Sequence, residues 1–509
     1  MTKLAIGVDI GTTSTKAVLF TTTGQIRAQH AVEYPLHTPN PQTAEQSPED
    51  IYQAVLETIK ETIIKAEIDT SQLLFISFSS AMHSLIGVDK EGKLLTNSIT
   101  WADNRSAKWA EKIKNEWNGH DIYRRTGTPI HPMSPLSKLV WLKHEHKDLF
   151  ATVDKWISIK EYILWKMFGE FVVDYSIASA TGLFNLEQLN WDREALELAG
   201  VKITQLSTPV PTTHQLKGLK ENLAEHLGIP ASTPFVVGAS DGVLSNLGVN
   251  AIGKGEVAVT IGTSGAIRTV VDKPITDPKG RIFCYALTEN HWVLGGPVNN
   301  GGVIFRWIRD ELGQPEINTN KEDPYDVLTR IASTISPGAD GLLFHPYFTG
   351  ERAPLWNAHA KGSFIGLTLH HQKAHMIRAA LEGILFNLYT VLLALEELTG
   401  ESVRIKATGG FAKSAFWRQM MSDIFQRPLT VPQSVESSCL GAVVVGLYAL
   451  GEIAALEEVS SLMEESFEHI PVEEASNKYR ELVSIFIRLS KLLEEEYKAL
   501  SEFQTVHVQ

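Results

Sequence analysis

The sequence is poor in cysteine, with two in 509 residues, Cys284 and Cys439. They form neither the paired spacing of a metal knuckle nor a disulfide framework, which fits a reducing cytoplasm. Positive charge is also in deficit, since 46 Lys and Arg against 59 Asp and Glu leave a formal charge of −13. That balance argues against nucleic acid or an anionic membrane as a partner of the whole surface, while an anionic small molecule held by a few local cations stays open. Long hydrophobic runs are missing too: the longest, GAVVVGLYALG at 441–451, is short and broken by glycine. The opening MTKLAIGVDIG has no cationic stretch followed by an apolar one, so a signal peptide is not expected. Two common nucleotide signatures are absent as well, with no GxxxxGK[ST] and no GxGxxG after a strand.

What is present is an ordinary globular composition, 43% hydrophobic and 21% charged, in a chain too long for one core. Two domains of roughly 250 residues are the expectation. Residues 8–16, VDIGTTSTK, taken alone could be a plain β-hairpin with a polar, glycine-containing turn. The pattern recurs: VDIGTTS at 8–14 aligns with VTIGTSG at 259–265, an offset of 259 − 8 = 251 residues. Half a chain between two copies suggests two related domains, expected at 1–248 and 249–509, with a glycine-broken joint near NLGVNAIGKGE.

The remaining periodicity is α/β. Ser47, Pro48, Glu49 and Asp50 open a helix expected over about 48–66, and LLFISFSS at 73–80 reads as a strand. Ile377, Leu381, Ile384, Leu385, Leu388, Leu392, Leu395 and Leu398 recur at helical spacing and stop at Gly400. VRIKATGG reads as a strand, SAFWRQMMSDIF as the helix after it, and 475–503 as an acidic amphipathic helix.

Three segments could bring backbone close to an anion: Gly11, Thr12, Thr13 and Ser14 with Lys16; Gly262, Thr263 and Ser264; and Gly409 with Gly410. The last would face a ligand from a helix N-terminus, or be a simple turn. Asp241 in VVGASDGVLSNLG is either a helix cap or a general base at the end of a strand. Met82 and His83, and Trp101, Asp103 and Arg105, stand at similar strand-end positions.

Together these segments resemble the FGGY carbohydrate kinases. The resemblance runs through VDIGTTSTK, MSPLSKLVWLKHE, DYSIASATGLFN, GASDG, TIGTSG, PYFTGERAPLWN, GSFIGLTLHHQKAHMIRAALEG and ATGGFAKSAFW, and so covers nearly the whole chain. His144 is one departure, at a position the family fills with an acidic, amide or basic residue. The resemblance implies an α/β fold of two ribonuclease H-like domains, of the actin and hexokinase type, around a central cleft. It also implies ATP and Mg²⁺. Asp241 would be the catalytic base and a metal-side group, and Asp9 the carboxylate that holds the metal through water. Thr12 and Thr13 would face the γ-phosphate, with Gly11 and Ser14 in the same cofactor-binding turn, while Lys16 either reaches the phosphates or simply pairs on the strand. Gly262, Thr263 and Ser264 would bind the nucleotide phosphates, and Gly302, Arg306, Gly409, Gly410 and Ser414 would form the adenosine and phosphate wall.

On the substrate side the resemblance implies Met82, His83, Trp101, Asp103, Arg105, His131, Met133, Asp241 and Gly242. Met82-His83 is similar to the xylulose and gluconate branches, where glycerol kinases carry an Arg-Glu pair. The segments WADNRS, GTPIHPMSPLSKL and CYALTENHWVLGGPVNNGGVIFRWIRD are most similar to the gluconate branch. A sugar acid also makes sense of the cations Arg105, Lys138, His83 and His131, each of which could meet a carboxylate. The expectation is phosphorylation of D-gluconate at its terminal hydroxyl, with xylulose or another polyol or ketose as the alternative substrate. The same fold hosts ATP-driven switches and filament formers, but these need no sugar pocket. The expected partner is a small sugar acid or polyol, with no nucleic acid and no membrane, and a homodimer is among the assemblies left open.

Overall fold

The computed structural model describes residues 3–313, 322–432, 436–462 and 465–507. They gather into two compact units: Met1–Gly253, Val270–Leu294 and Glu436–Glu464 form one, and Lys254–Thr269, Gly295–Val435 and Glu465–Gln509 the other. Two stretches from the second half of the chain therefore return to the first unit.

The first unit is built on a six-stranded sheet in the order Gln215–Leu216, Phe235–Ser240, Leu73–Ser80, Leu4–Ile10, Ser14–Thr21, Ile26–Glu33. The first three strands of the chain form an antiparallel meander, and Leu73–Ser80 and then Phe235–Ser240 add parallel to Leu4–Ile10. Leu4–Ile10 and Leu73–Ser80 read as near-continuous apolar runs because both faces are covered, as expected for the parallel part of a sheet. One cover is the helix Pro48–Ala66, which starts as its sequence predicts: the Ser47 side chain accepts the Asp50 N–H at 3.2 Å, with Pro48 in the first turn. Another is Ser437–Ala449, whose Val443, Val444 and Val445 are all buried; it packs against Leu4–Ile10, Leu73–Ser80 and the helix Asp241–Leu247.

A seven-stranded sheet repeats the plan, in the order Phe283–Ala286, Trp292–Val298, Gly265–Val271, Glu256–Ile261, Arg404–Gly409, Leu429–Pro432, Glu465–His469. Glu256–Ile261 and Gly265–Val271 are an antiparallel hairpin, and Arg404–Gly409 then Leu429–Pro432 add in parallel. The long apolar helix is Lys373–Thr399, ending at Gly400, with every residue of its predicted stripe buried except the half-exposed Leu398. It is long and apolar enough to cross a membrane, yet 78% of that window is buried within the protein, which is the behaviour of a core helix.

The C-terminal stretch departs from expectation. It forms two helices, Glu473–Leu492 and Glu494–His507, broken at Leu493. Glu494, Glu495 and Glu496 supply the reason, since three acids are more favourable in the first turn of a new helix than in the interior of a continuing one. His144 stacks on Trp109 with ring centroids 4.1 Å apart, a packing role an aromatic ring can fill. Cys284 and Cys439 are both buried free thiols.

Candidate active site

The first hairpin turns at Gly11–Thr13, between Leu4–Ile10 and Ser14–Thr21. All four carbonyls of the turn region point at protein donors: Gly11 O accepts the Tyr34 hydroxyl at 2.6 Å, Thr12 O accepts Gln46 Nε2 at 2.6 Å, Thr13 O accepts the Tyr34 N–H at 3.2 Å, and Ser14 O accepts the Gly11 N–H at 3.0 Å. With its carbonyls turned inward, the turn offers an incoming anion amide hydrogens and hydroxyls, the requirement of a phosphate cradle.

Asp9 lies on the strand entering this turn. In register beside it is Ser79 of the parallel neighbour, whose hydroxyl donates to Asp9 Oδ1 at 2.6 Å. On the other side Asp9 pairs with Lys16, whose ammonium contacts both Glu436 oxygens at 3.0 Å. Burial pushes the Asp9 carboxyl above its ordinary range and Glu436 adds to this, while the Ser79 hydroxyl and Lys16 pull it down. A hard carboxylate oxygen in a desolvated setting suits Mg²⁺, because a divalent cation would offset the burial that disfavours the charged Asp9. Asp9 is thus the residue that would hold the metal, and Lys16 is engaged with Glu436.

Asp241 follows directly on the strand Phe235–Ser240. That strand is in register with Leu73–Ser80, Ala239 opposite Ser79, so Asp241 stands two residues beyond the row that contains Asp9 and Ser79. A register shift between Val236 and Ala239 re-aims the chain just before it, and Gly238, at φ +65 and with the Phe78 carbonyl where a Cβ would lie, makes the bulge. Ser240 takes the N-cap position, and Asp241 is the first helical residue, with Oδ1 accepting the Gly242 N–H at 2.6 Å. Behind it lies the buried Lys160, bonded to Asp174 Oδ2 at 2.8 Å and to Ala239 O at 3.1 Å. Burial lowers the Lys160 pKa, against the pull of Asp174 first and of Glu161 and Asp241 after it. Removing either partner of the buried Lys160–Asp174 pair is expected to cost about 3–5 kcal/mol.

Of the residues expected on the substrate side, Met82 and His83 come just after the end of the interior strand Leu73–Ser80. Trp101 Nε1 donates to Thr12 Oγ1 at 2.9 Å, which ties that residue to the first hairpin. His83 adopts φ +69, a conformation that costs energy outside glycine, and is held there by its Nδ1 on Ala180 O at 2.7 Å and by Lys138 Nζ on its own carbonyl at 2.7 Å. Lys138 also donates to Met133 O at 2.8 Å, so one buried ammonium fixes the His83 and Met133 backbones together; burial lowers its pKa to about 7. Arg105 forks onto Asp103 and also pairs with Glu45, and it lies over the Trp141 ring at 4.6 Å. Of the four cations that sequence offered to a carboxylate, Arg105 and Lys138 are therefore engaged by the protein. His131 Nδ1 accepts the Met133 N–H at 3.2 Å, which leaves the proton on Nε2 and makes that nitrogen a donor.

In the second unit the hairpin Gly262–Ser264 repeats the inward turning of carbonyls with different braces. Gly262 O accepts the Gly302 N–H at 2.7 Å, Thr263 O accepts Gly301 at 3.3 Å and Val303 at 3.0 Å, and Ser264 O accepts Gly262 N at 2.9 Å. Gly301 and Gly302 must be glycine for this approach, because a Cβ would sit 2.7 Å from Ser264 O and 2.6 Å from Gly262 O respectively. By contrast a Cβ at Gly262 or at Gly410 would meet nothing within 4 Å, so packing does not require glycine there and the space in front of each is open to a ligand such as a nucleotide phosphate. Gly410 opens a 3₁₀ turn, Gly410–Lys413, and the following helix begins only at Ala415, capped by Ser414 through the Trp417 N–H at 3.4 Å. Arg306 is exposed on Gly302–Trp307.

A family model for the FGGY family of carbohydrate kinases matches the chain twice, its N-terminal domain over residues 4–248 and its C-terminal domain over 257–450. The chain belongs to the FGGY family of carbohydrate kinases. Among curated FGGY relatives, the gluconokinase of Bacillus subtilis (strain 168) is 58% identical over 508 residues, 99% of each chain. The crystal structure of gluconate kinase from Lactobacillus acidophilus superposes with a TM-score of 0.94 at 40% identity, covering 98% of this chain and 100% of that one. A ligand-bound xylulose kinase from the same organism gives 0.93 at 41%, with 98% and 100% covered. The fold is the two-domain, actin- and hexokinase-like α/β fold of these kinases.

Four residues of this FGGY site have no local sequence signature: Tyr34, Gln46, Lys160 and Glu436. Each acts on a partner at least twenty residues away in the chain, and each reads locally as an ordinary strand-end, loop or helix-start residue. The histidines His370, His371 and His375 form a further cluster on Asp340. His371 and His375 each accept a backbone N–H on Nδ1, at 2.9 and 3.1 Å, so their protons lie on Nε2 and point at Asp340. That arrangement is a hydrogen-bonded helix cap and leaves no lone pair for a metal on those nitrogens.

Proposed function

We propose that the chain transfers the γ-phosphoryl of ATP to the terminal hydroxyl of D-gluconate, giving 6-phosphogluconate. The observation that carries this reading is the 58% identity to gluconokinases across 99% of the chain. In this reading Asp241 takes the proton of the attacking hydroxyl. Thr12 and Thr13 donate to the transferring phosphoryl, and Gly262, Thr263 and Ser264 hold the nucleotide phosphates. Gly302, Arg306, Gly410 and Ser414 line the nucleotide's path. Asp9 would hold Mg²⁺, which when bound neutralises charge on the phosphates. No covalent nucleophile is required, because phosphoryl transfer depends on positioning and charge neutralisation. This reading sets His83 and His131, whose Nε2 is a donor, toward the sugar acid, while Arg105 is held by Asp103 and Glu45 and Lys138 by backbone carbonyls. ATP as donor and two reduced, buried thiols support a cytoplasmic setting.

Xylulose is the second reading, favoured by the 41% identical xylulose kinase structure. The two are separated by kcat/KM for gluconate, xylulose, ribulose, glycerol and glucose at fixed ATP. Gluconate is expected to lead; a clear preference for a neutral sugar rejects the acid reading.

A further inference from the structure

Glu351, in the GER stretch of the second unit, is a fully buried carboxylate to which no role has been assigned above. Its two oxygens take four donors: Oε1 accepts the Asn299 N–H at 2.6 Å and the Arg352 N–H at 2.8 Å, and Oε2 accepts Asn300 Nδ2 at 2.9 Å and Asn387 Nδ2 at 2.8 Å. The same two loops are joined again around it, by Asn300 Nδ2 on Gly350 O at 2.7 Å and Ala353 N on Pro297 O at 2.9 Å. Asn387 anchors the cluster to the core helix Lys373–Thr399. The next residues after Asn300 are Gly301, Gly302 and Val303, whose amides hold the carbonyls of the Gly262–Ser264 hairpin.

We infer that Glu351 is a positioning residue for nucleotide binding, which sets the Asn299–Gly302 loop and through it the donor face of the second hairpin. The inference rests on the reading of that hairpin as the nucleotide-phosphate site. Four donors on two oxygens demand a carboxylate. Glutamine has the same shape but replaces one oxygen with an amino group, whose hydrogens would face two existing donors. Aspartate falls a methylene short. Burying an anion here is costly, and the burial raises the Glu351 pKa against the pull of its donors; the site retains it because it fixes two loops at once.

The test compares Glu351→Gln with Thr263→Ala and wild type, by KM for ATP and for gluconate and by calorimetric affinity for ADP. Asn300→Ala, which removes a single donor from the carboxylate, supplies the same measurement if Glu351→Gln does not fold. Glu351→Gln is expected to raise KM for ATP and weaken ADP by about tenfold or more, with KM for gluconate within about twofold of wild type. Asn300→Ala should move the same quantities in the same direction by less. A folded Glu351→Gln protein with unchanged ADP affinity, while Thr263→Ala weakens it, overturns the inference alone. Unchanged ADP affinity in Thr263→Ala overturns the hairpin reading and the inference with it. An equal rise in both KM values also overturns the inference, because it marks general loosening and not a nucleotide-specific effect.

Discussion

The two glycine hairpins are the same device built from different parts. In the first, side chains from elsewhere in the chain, Tyr34 and Gln46, turn the carbonyls away from the open face. In the second, backbone amides of Gly301, Gly302 and Val303 do this work. The difference extends two residues upstream of each turn. Asp9 is bonded to Ser79 across a parallel pair, and at the matching place Thr260 is bonded to Thr408 at 2.9 Å, also across a parallel pair. A carboxylate in one hairpin and a hydroxyl in the other means that only the first can balance a cation. The same plan of strands thus gives one hairpin whose chemistry would suit a metal and a phosphoryl group, and one whose chemistry would suit neutral hydrogen bonding.

The largest effect is expected at Asp241, the acid that follows directly on the strand Phe235–Ser240 of the first unit. Asp241→Asn should lower gluconate-dependent kcat by about 10² to 10⁴, read by coupled ADP release, with the fold intact by thermal unfolding. Near wild-type turnover would remove Asp241 from its role. Next come the braces. Gly302→Ala places a Cβ 2.6 Å from Gly262 O and must displace backbone, so KM for ATP should rise about tenfold or more while KM for gluconate holds. Tyr34→Phe deletes one hydrogen bond to Gly11 O and leaves the N–H to Thr13 O, so kcat/KM for ATP should fall only about two- to tenfold. If Tyr34→Phe proved the more damaging, the contrast between side-chain and backbone bracing would be wrong. The mildest effect concerns pH. The metal-free native state keeps its Asp9 proton at pH values where the unfolded chain has lost it, so the Asp9 contribution to stability declines as pH rises above the ordinary carboxylate value. Urea unfolding without Mg²⁺ should show this component in wild type and not in Asp9→Asn.

Much of the architecture was legible because its signals are local. Ser47 and Pro48 announced the start of a helix, Gly400 its end elsewhere, and the GTTS and GTSG echoes the internal repeat. What was illegible is long-range. The repeat aligns at an offset of 251 before the turn, but the pairing of Ile10 with Thr15 against Ile261 with Gly265 shows a turn one residue shorter in the second unit. The returning strands therefore match at 250, so Ser264 corresponds to Ser14. An ungapped motif match hides such a slip, since register depends on which partner each strand meets. Arg105 and Lys138 looked like spare cations because sequence shows a charge without its counterions. Glu436 and Lys160 are the reverse case, since their partners Lys16 and Asp174 are distant in the chain.

The central claim, that the two hairpins divide metal and nucleotide between them, is tested most directly by the Mg²⁺ activation curve at saturating ATP and gluconate in wild type, Asp9→Asn and Thr260→Val. Half-activating Mg²⁺ should rise about 10- to 100-fold in Asp9→Asn and stay near wild type in Thr260→Val. An unchanged Mg²⁺ requirement in Asp9→Asn, or an equal shift in both variants, would contradict it.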